Sequence, residues 1–365
     1  MVIPLIPNVV KNILKEIERN GFEAYIVGGF VRDYVMLRKT NDIDIATNAL
    51  PKDLVNIFGI PKRKIEYGSY HMKEGGYNID ITTYRTEESY ENGRPEKVVY
   101  SNSLLDDAHR RDFTMNSMYM NKNEEIIDLL NGRKDLKQKT LRMIGNPIVR
   151  LREDPIRILR AVRFATMYHL KLDKKLKNAI LKEKKNLEQV PLVKIRKELD
   201  AILLADGFSL LKKLELLKEL GIENKKIVYV EDISGLWAQI KTEKNYIVEK
   251  ELKKQQKMIN NLLNCGTINM LNLYHYGYYN CRVAAQIMHF PLKRLEKMMD
   301  ALPIKSRKDI ELTSEEIASL SKLKGSELGN LITEMEQAII LKELPNNKEI
   351  LTKFIEERRL NYAKY

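Results

Sequence analysis

Gly28-Gly29-Phe30-Val31-Arg32-Asp33, followed closely by Asn41-Asp42-Ile43-Asp44-Ile45, decides how the first part of this chain folds. A strand presents alternate side chains to opposite faces, so Asp42 and Asp44 share one face and Ile43 and Ile45 the other. Two carboxylates this close repel each other unless a cation sits between them. A hard divalent cation facing a glycine turn is the equipment of phosphoryl transfer. Gly28-Gly29 ends a buried strand over 23–27 and opens a short helix over 31–37. A turn without side chains lets backbone N–H groups approach phosphate oxygens, and Arg32, one turn into the helix, points at the same anion. Alone, the D-x-D fits two solvated aspartates on an edge strand, and the glycines fit a plain strand–helix turn. Together they disfavour both readings.

Working outward, the first third alternates helix and strand patterns. Val10, Ile13, Leu14 and Ile17 fall at helical spacing, and Asn20-Gly21 stops that helix. A helix over 51–58 is opened by Pro51. Residues 64–84 carry hairpin features, with Glu74-Gly75-Gly76-Tyr77 as the turn. In the following strand Asp80, Thr82 and Tyr84 share a face, which makes Asp80 a candidate third carboxylate. Residues 90–105 are polar, contain Asn92-Gly93-Arg94-Pro95, and are expected to form an exposed loop. Beyond about residue 140 helix follows helix: an amphipathic one over 152–168, then others around 193–204, 206–220, 244–264, 279–288, 292–300, 314–321 and 326–341. Breaks are expected near Gly221, Gly266 and Pro303. An α/β head precedes a long helical extension.

The chain has 365 residues, a net charge of +13 and two cysteines, Cys265 and Cys281, too few for a disulfide framework. Its five histidines show no metal-ligand spacing, so zinc is not expected. No apolar run approaches a membrane span, and the start lacks a basic segment followed by a long apolar one; a cytoplasmic protein with no membrane partner is expected. The positive charge suits a polyanionic partner. Residues 171–185 hold seven lysines, which solvated helices would explain equally well.

Two further clusters carry chemistry. In His109-Arg110-Arg111-Asp112-Phe113-Thr114-Met115-Asn116, Arg111 supplies a planar fork suited to a triphosphate, Asp112 is placed to orient it, and Asn116 can bond a ribose hydroxyl. On the helix over 152–168, Glu153, Arg157 and Arg160 fall in one polar arc with Asp154 and Arg163 at its edges. Ile158, Leu159, Val162 and Ala165 line the opposite face. The ordinary reading of that arc is an ion pair between Glu153 and Arg157 within one helix.

Val27-Gly28-Gly29-Phe30-Val31-Arg32-Asp33, Asp42-Ile43-Asp44-Ile45-Ala46-Thr47, Thr82-Thr83-Tyr84-Arg85, Arg110-Arg111-Asp112-Phe113-Thr114-Met115-Asn116 and Glu153-Asp154-Pro155-Ile156-Arg157 occur in that order. Together they resemble the class II tRNA nucleotidyltransferases, the CCA-adding enzymes and their poly(A) polymerase relatives. The motifs span about residues 24–165, and Leu344-Pro345-Asn346-Asn347-Lys348-Glu349 is similar to the tail of bacterial CCA-adding enzymes. The resemblance implies an α+β fold: an N-terminal nucleotidyltransferase (palm) head with a mixed β-sheet over 1–140, then all-helical neck (141–204, base recognition), body (205–265) and tail (266–365, tRNA binding). It implies template-independent addition of CCA to the 3′ end of tRNA from CTP and ATP, with release of pyrophosphate.

Carried over by position, Asp42 and Asp44 would hold Mg²⁺, with Asp80 as a helper carboxylate acting as ligand or base. Gly29, Arg32 and Arg111 would contact the nucleotide beside Gly28. Glu153, Asp154 and Arg157 would form an amino-acid template, with Arg160 and Arg163 near the nucleotide. Three positions depart from the family pattern: Tyr67-Gly68-Ser69, Asn131-Gly132 and Val193-Lys194-Ile195, the last leaving Arg196 and Glu198 to anchor the neck. The segment between Arg85 and Arg110 (86–109) holds 24 residues, about as many as in CCA-adding relatives and more than in CC-adding ones. Tail similarity disfavours poly(A) synthesis, whereas A-addition shares all the motifs. The reading from another class is a non-catalytic basic RNA-binding protein, which gives no reason for three aspartates beside a glycine turn.

Overall fold

The computed structural model describes residues 6–61, 63, 65, 66, 68–91 and 94–362. Tyr67 and the Asn92-Gly93 pair lie outside the described residues. The chain forms two compact units: the part up to Asn224 together with Thr242–Ile247, and Lys225–Lys241 together with the part from Val248 on. Among the described residues no helix is long and apolar enough to cross a membrane.

The first unit runs α1 (Asn8–Arg19), β1 (Ala24–Val27), α2 (Gly29–Val35), β2 (Asp42–Thr47), α3 (Pro51–Phe58), β3 (Ile65–Glu66), β4 (Ser69–Glu74) and β5 (Tyr77–Thr83). It continues through β6 (Arg85–Glu91), β7 (Arg94–Tyr100), α4 (Leu104–Arg110), β8 (Met118–Met120), β9 (Ile126–Asp128), α5 (Gly132–Lys137) and β10 (Thr140–Leu141). Then come α6 (Pro147–Glu153), α7 (Ile156–Met167), β11 (Lys171–Leu172), α8 (Lys174–Glu183), α9 (Leu192–Leu204) and α10 (Phe208–Lys213). The second unit is helical: α11 (Ile233–Ala238), α12 (Lys250–Cys265), α13 (Met270–Ile287), α14 (Leu292–Asp300), α15 (Ser314–Ser321), α16 (Gly325–Ile340) and α17 (Lys348–Tyr362).

A seven-stranded sheet in the order β3-β4-β5-β2-β1-β8-β9 organises the head. It is mixed: β2 and β5 run parallel, while β2 lies antiparallel to β1. The period-2 pattern sets which way each strand faces. Ile43, Ile45, Ile79 and Ile81 are buried, and the aspartates between them lie on the other face. Helix α1 buries Val10, Ile13, Leu14 and Ile17, the four residues its spacing marks. Pro51 opens α3, and Gly59 in the left-handed region ends it. The expected hairpin turn is present at Gly75-Gly76, both with positive φ, between β4 and β5. The expected sharing of a face by Asp80 and Tyr84 holds: Tyr84 packs on Val27, Ala46, Ala108 and Tyr119, and register puts Val27, Ala46 and Tyr119 on the Asp44 side of the sheet.

Three expectations need correction. Residues 90–105 are not a loop: β6 and β7 form an antiparallel ribbon, and α4 starts at Leu104. The ribbon is a separate two-stranded sheet. Strands such as Glu87–Glu88 facing Lys97–Val98 bury no continuous face and leave no apolar period to read. Second, 152–168 is not one helix. Pro155 forces Asp154 into the extended region (φ −144°, ψ 94°), so α6 ends at Glu153 and α7 begins at Ile156. Third, the helices expected over 206–220 and 244–264 are shorter. Glu215 adopts positive φ after α10, and Tyr246, buried with its hydroxyl donating to the Leu220 carbonyl, keeps the chain extended until α12.

Candidate active site

The sheet wall of the site follows from register. Val27 pairs with Asp44, and Asp44 pairs with Asp80 on the other side. Gly28, next in chain, therefore lies against the Asp44 carboxylate. Its φ is +75°, and a Cβ there would sit 3.0 Å from Asp44 Oδ2 and 3.7 Å from Arg111 Nη1. Backbone conformation and close approach both require glycine. The Asp44 side chain opens to solvent along the cleft while protein crowds its other sides. Burial pushes its carboxyl above the ordinary range, Arg111 pulls it back, and Asp80 and Asp42 push it up again. Asp42 accepts a hydrogen bond from Asn78 Nδ2 (2.8 Å), and Asp80 pairs with His71 Nδ1 across β4 and β5.

The middle of the site is a chain of paired charges. Asp107, fully buried in α4, accepts from Arg110 Nε (2.8 Å), Arg111 Nη2 (2.9 Å) and the Tyr119 hydroxyl (2.7 Å). Burial alone would raise its pKa, but Arg111 and Arg110 hold it down at about 2. Asp107, not Asp112, thus orients Arg111. Asp112 serves another arginine: its Oδ2 accepts from Arg160 Nε (2.9 Å) and Nη2 (2.5 Å), and its Oδ1 from Asn116 Nδ2 (3.0 Å). Burial opposes its ionisation, yet Arg160 and those hydrogen bonds hold it at about 2. Asn116 Oδ1 accepts from Arg32 Nη1 (2.8 Å), so both ends of this amide are engaged within the protein. Arg32 also forks onto Asp33 and lies 4.3 Å from the centre of the Tyr168 ring.

The helical wall comes from the α6–α7 break. Arg157 Nη1 donates to the Arg150 carbonyl (2.9 Å) and to Glu153 Oε2 (3.2 Å), so the expected Glu153–Arg157 pair forms, across the break instead of within one helix. Arg157 Nη2 reaches the Tyr90 hydroxyl at 3.4 Å, and Arg163 Nε donates to Glu198 Oε2 at 2.7 Å. Burial raises the Asp154 carboxyl, with Arg157 opposing. A cleft of about 420 Å³ joins the three parts. Gly28, Gly29, Arg32 and Asp44 line it on one side; Arg111, Asp112 and Asn116 lie between; Asp154, Arg157, Arg160 and Arg163 line the other. Glu153, Asp42 and Asp80 lie off this lining.

Residues 24–142 match the Poly A polymerase head domain family, and residues 197–355 match tRNA nucleotidyltransferase domain 2. The CCA-adding enzyme of Enterococcus faecalis (strain ATCC 700802 / V583) is 30% identical, with 98% of this chain and 98% of that one covered. The chain belongs to the CCA-adding enzymes. These are nucleotidyltransferases, and the fold agrees. The Bacillus stearothermophilus CCA-adding enzyme, solved in complex with CTP, is 22% identical and superposes with a TM-score of 0.84, covering 97% of this chain and 98% of that one. The Thermotoga maritima CCA-adding enzyme, solved in complex with tRNA, is 19% identical with a TM-score of 0.65, covering 96% and 95%.

CCA-adding enzymes are as a family metal-dependent. The donor set here fits a hard cation: Asp42 and Asp44 offer carboxylate oxygens from one strand face, and burial beside Asp80 and Asp42 leaves Asp44 short of positive charge. Among the described residues no three acidic, histidine or cysteine side chains converge on a point. A hard cation of this kind is commonly held by one or two carboxylates and completed by substrate phosphates. Sequence reasoning gave no role to Asp107, Tyr119, Tyr90 or Arg150. Of these, Asp107 was within reach, since it precedes Arg110 and Arg111 by one helical turn.

Proposed function

We propose that this cleft adds C, C and A to the 3′ end of cytoplasmic tRNA, drawing on CTP and ATP and releasing pyrophosphate without a nucleic-acid template. One observation carries the reading: a carboxylate (Asp44), a paired arginine fork (Arg111) and an Asp–Arg pair (Asp154, Arg157) line the same cleft. In this reading Asp42 and Asp44 hold Mg²⁺, which would lower the pKa of the RNA 3′-hydroxyl and neutralise the leaving pyrophosphate. Asp80 stands beside Asp44 as a helper carboxylate. Arg111, held in place by Asp107, and Arg32, held by Asp33 and Asn116, grip the triphosphate beside the Gly28-Gly29 turn. The RNA hydroxyl attacks the α-phosphorus, and the phosphoanhydride bond to pyrophosphate breaks.

Residues 141–204 act as the base reader. Cytosine and adenine each present an amino donor beside a ring-nitrogen acceptor. Asp154 accepts from the amino group and Arg157 donates to the ring nitrogen. Uracil and guanine reverse that pattern and leave charged groups facing unmatched partners. Residues 266–365 and the lysines of 171–185 take the tRNA backbone, a contact that salt weakens.

The test incubates the protein with a tRNA transcript lacking its 3′ CCA and with CTP, ATP or both, resolved at single nucleotides. Incorporation of two C and then one A, followed by arrest, is expected. Extension by ATP alone to a single A, or a long A tract, would replace this reading with A-addition or poly(A) synthesis.

A further inference from the structure

The middle of the cleft and its helical wall come from segments about forty residues apart in sequence, and one side chain spans them. Arg150, on α6, donates through Nη2 to the carbonyl oxygens of Arg110 (2.6 Å) and Arg111 (3.1 Å). Through Nη1 it donates to Glu153 Oε2 (2.7 Å), the same oxygen that Arg157 Nη1 reaches at 3.2 Å. Arg157 in turn donates to the carbonyl of Arg150 itself (2.9 Å), which closes a ring of bonds around the start of the base reader. The Arg150 side chain is only 13% exposed.

The chemistry of the receiving end matters. Arg111 is where α4 stops, in extended backbone (φ −69°, ψ 165°). The last carbonyls of a helix lack intrahelical partners and need another donor. Here the donor is a guanidinium tied through Glu153 to the helical wall. The backbone that carries Arg111 is thereby fixed with respect to the carboxylate that aims Arg157. A planar fork can hold two carbonyls and a carboxylate at once; an ammonium on a flexible stem cannot reproduce that plane.

Building on the reading of the cleft above, we propose that Arg150 is a positioning residue that sets the spacing between the triphosphate grip and the base reader, and so contributes to base selection. A nucleotide seated by its phosphates on Arg111 presents its base to Asp154 and Arg157 only if that spacing is right. Displacements of about 1 Å at a reacting centre can cost about 100-fold. A purely architectural tie between α4 and α6 would lower the rates for all nucleotides alike. A spacing role lowers the preference for C over U as well.

The experiment compares the full-length protein with Arg150→Lys and Arg150→Gln, each checked for folding by circular dichroism and thermal melting. Competitive equilibrium dialysis with labelled CTP and UTP gives the binding preference. Single-turnover extension of a tRNA transcript lacking CCA gives the transfer preference. Narrowing of the C-over-U preference by about tenfold in a folded variant is expected, with kcat reduced more than KM is raised. A preference unchanged within twofold in the folded variants overturns the proposal, whatever happens to the overall rate. Failure of the wild-type protein to extend any RNA would refute the functional reading instead, and the dialysis ratio would still decide the role of Arg150. A wild-type protein that binds CTP and UTP alike overturns it too.

Discussion

The two walls of the cleft are built on opposite electrostatic terms. On the sheet wall, β-sheet register puts Asp42, Asp44 and Asp80 on one face, and Asp42 and Asp80 push the Asp44 carboxyl up against the pull of Arg111 and Arg110. On the helical wall every arginine already has a protein partner: Arg157 has Glu153, Arg160 has Asp112, and Arg163 has Glu198. The sheet wall is short of positive charge until something binds. The helical wall is satisfied by itself. A charge removed from the first should therefore cost chemistry and spare the fold, whereas one removed from the second should cost selectivity or stability.

The largest effect is expected at Asp44. Asp44→Asn removes a carboxylate whose ionisation burial and its acidic neighbours oppose, so the variant should melt no lower than the parent. Transfer to tRNA should fall by about 1,000-fold or more. Parallel thermal melts and single-turnover extension check both halves. Retained transfer within tenfold would remove the sheet wall from the chemistry.

Arg157 gives the matching break on the other wall. Arg157→Met keeps the length of the side chain but leaves Glu153 with Arg150 alone. Discrimination of CTP against UTP, measured as a ratio of kcat/KM values, should fall by about 100-fold, and urea denaturation should show a stability loss of about 1–3 kcal/mol. Loss of activity with an unchanged ratio would mean that Arg157 binds nucleotide without reading its base.

How legible each wall was in the sequence follows the same division. Asp42 and Asp44 were readable because a strand has period 2 and alternating isoleucines fix its facing. Gly28 was readable as a turn, although its contact with Asp44 depends on β1–β2 register, which pattern does not supply. In the middle of the site and on the helical wall the residues were identified, and of their partners only the Glu153–Arg157 pair was. Arg111 pairs with Asp107 instead of Asp112, and Arg160 takes Asp112 from 48 residues away. Such long-range choices depend on how α4 and α7 pack. The break at Pro155 was local and could have been read from proline's missing donor. The β6–β7 ribbon was not readable, since a two-stranded ribbon with polar residues on its faces lacks the apolar alternation that marks a strand.

Acid should act on the charge pairs between the walls. Asp107 and Asp112 both stand at about 2 in the folded protein, against an ordinary value of 3.8. Between those values the unfolded chain binds more protons than the folded one. The stabilisation is present in full above about pH 4 and is lost as pH falls toward 2, by about 2 kcal/mol for each group. Asp112→Asn should lose its share already at pH 7 and show a shallower decline between pH 4 and 2.5 in urea titrations. A decline as steep as that of the parent would place the acid sensitivity in other carboxylates.

The smallest expected effect tests how self-sufficient the helical wall is. Tyr90, on the β6 strand, touches Arg157 in two ways: its hydroxyl lies 3.4 Å from Nη2, and the Arg157 guanidinium sits 5.4 Å from its ring centre. The same hydroxyl donates to Glu87 Oε2 at 2.7 Å, and Glu87 also accepts from Arg85. A hydrogen bond of 3.4 Å lies at the long edge of the useful range, while the ring contact survives removal of the oxygen. Tyr90→Phe should therefore change C-over-U discrimination by no more than about threefold, because Glu153 and the Arg150 carbonyl still hold Arg157. Measured beside Arg157→Met under the same conditions, the two ratios rank the supports of the reader. If Tyr90→Phe proved as costly as Arg157→Met, the ribbon would be part of the base reader, and the helical wall would be as incomplete on its own as the sheet wall.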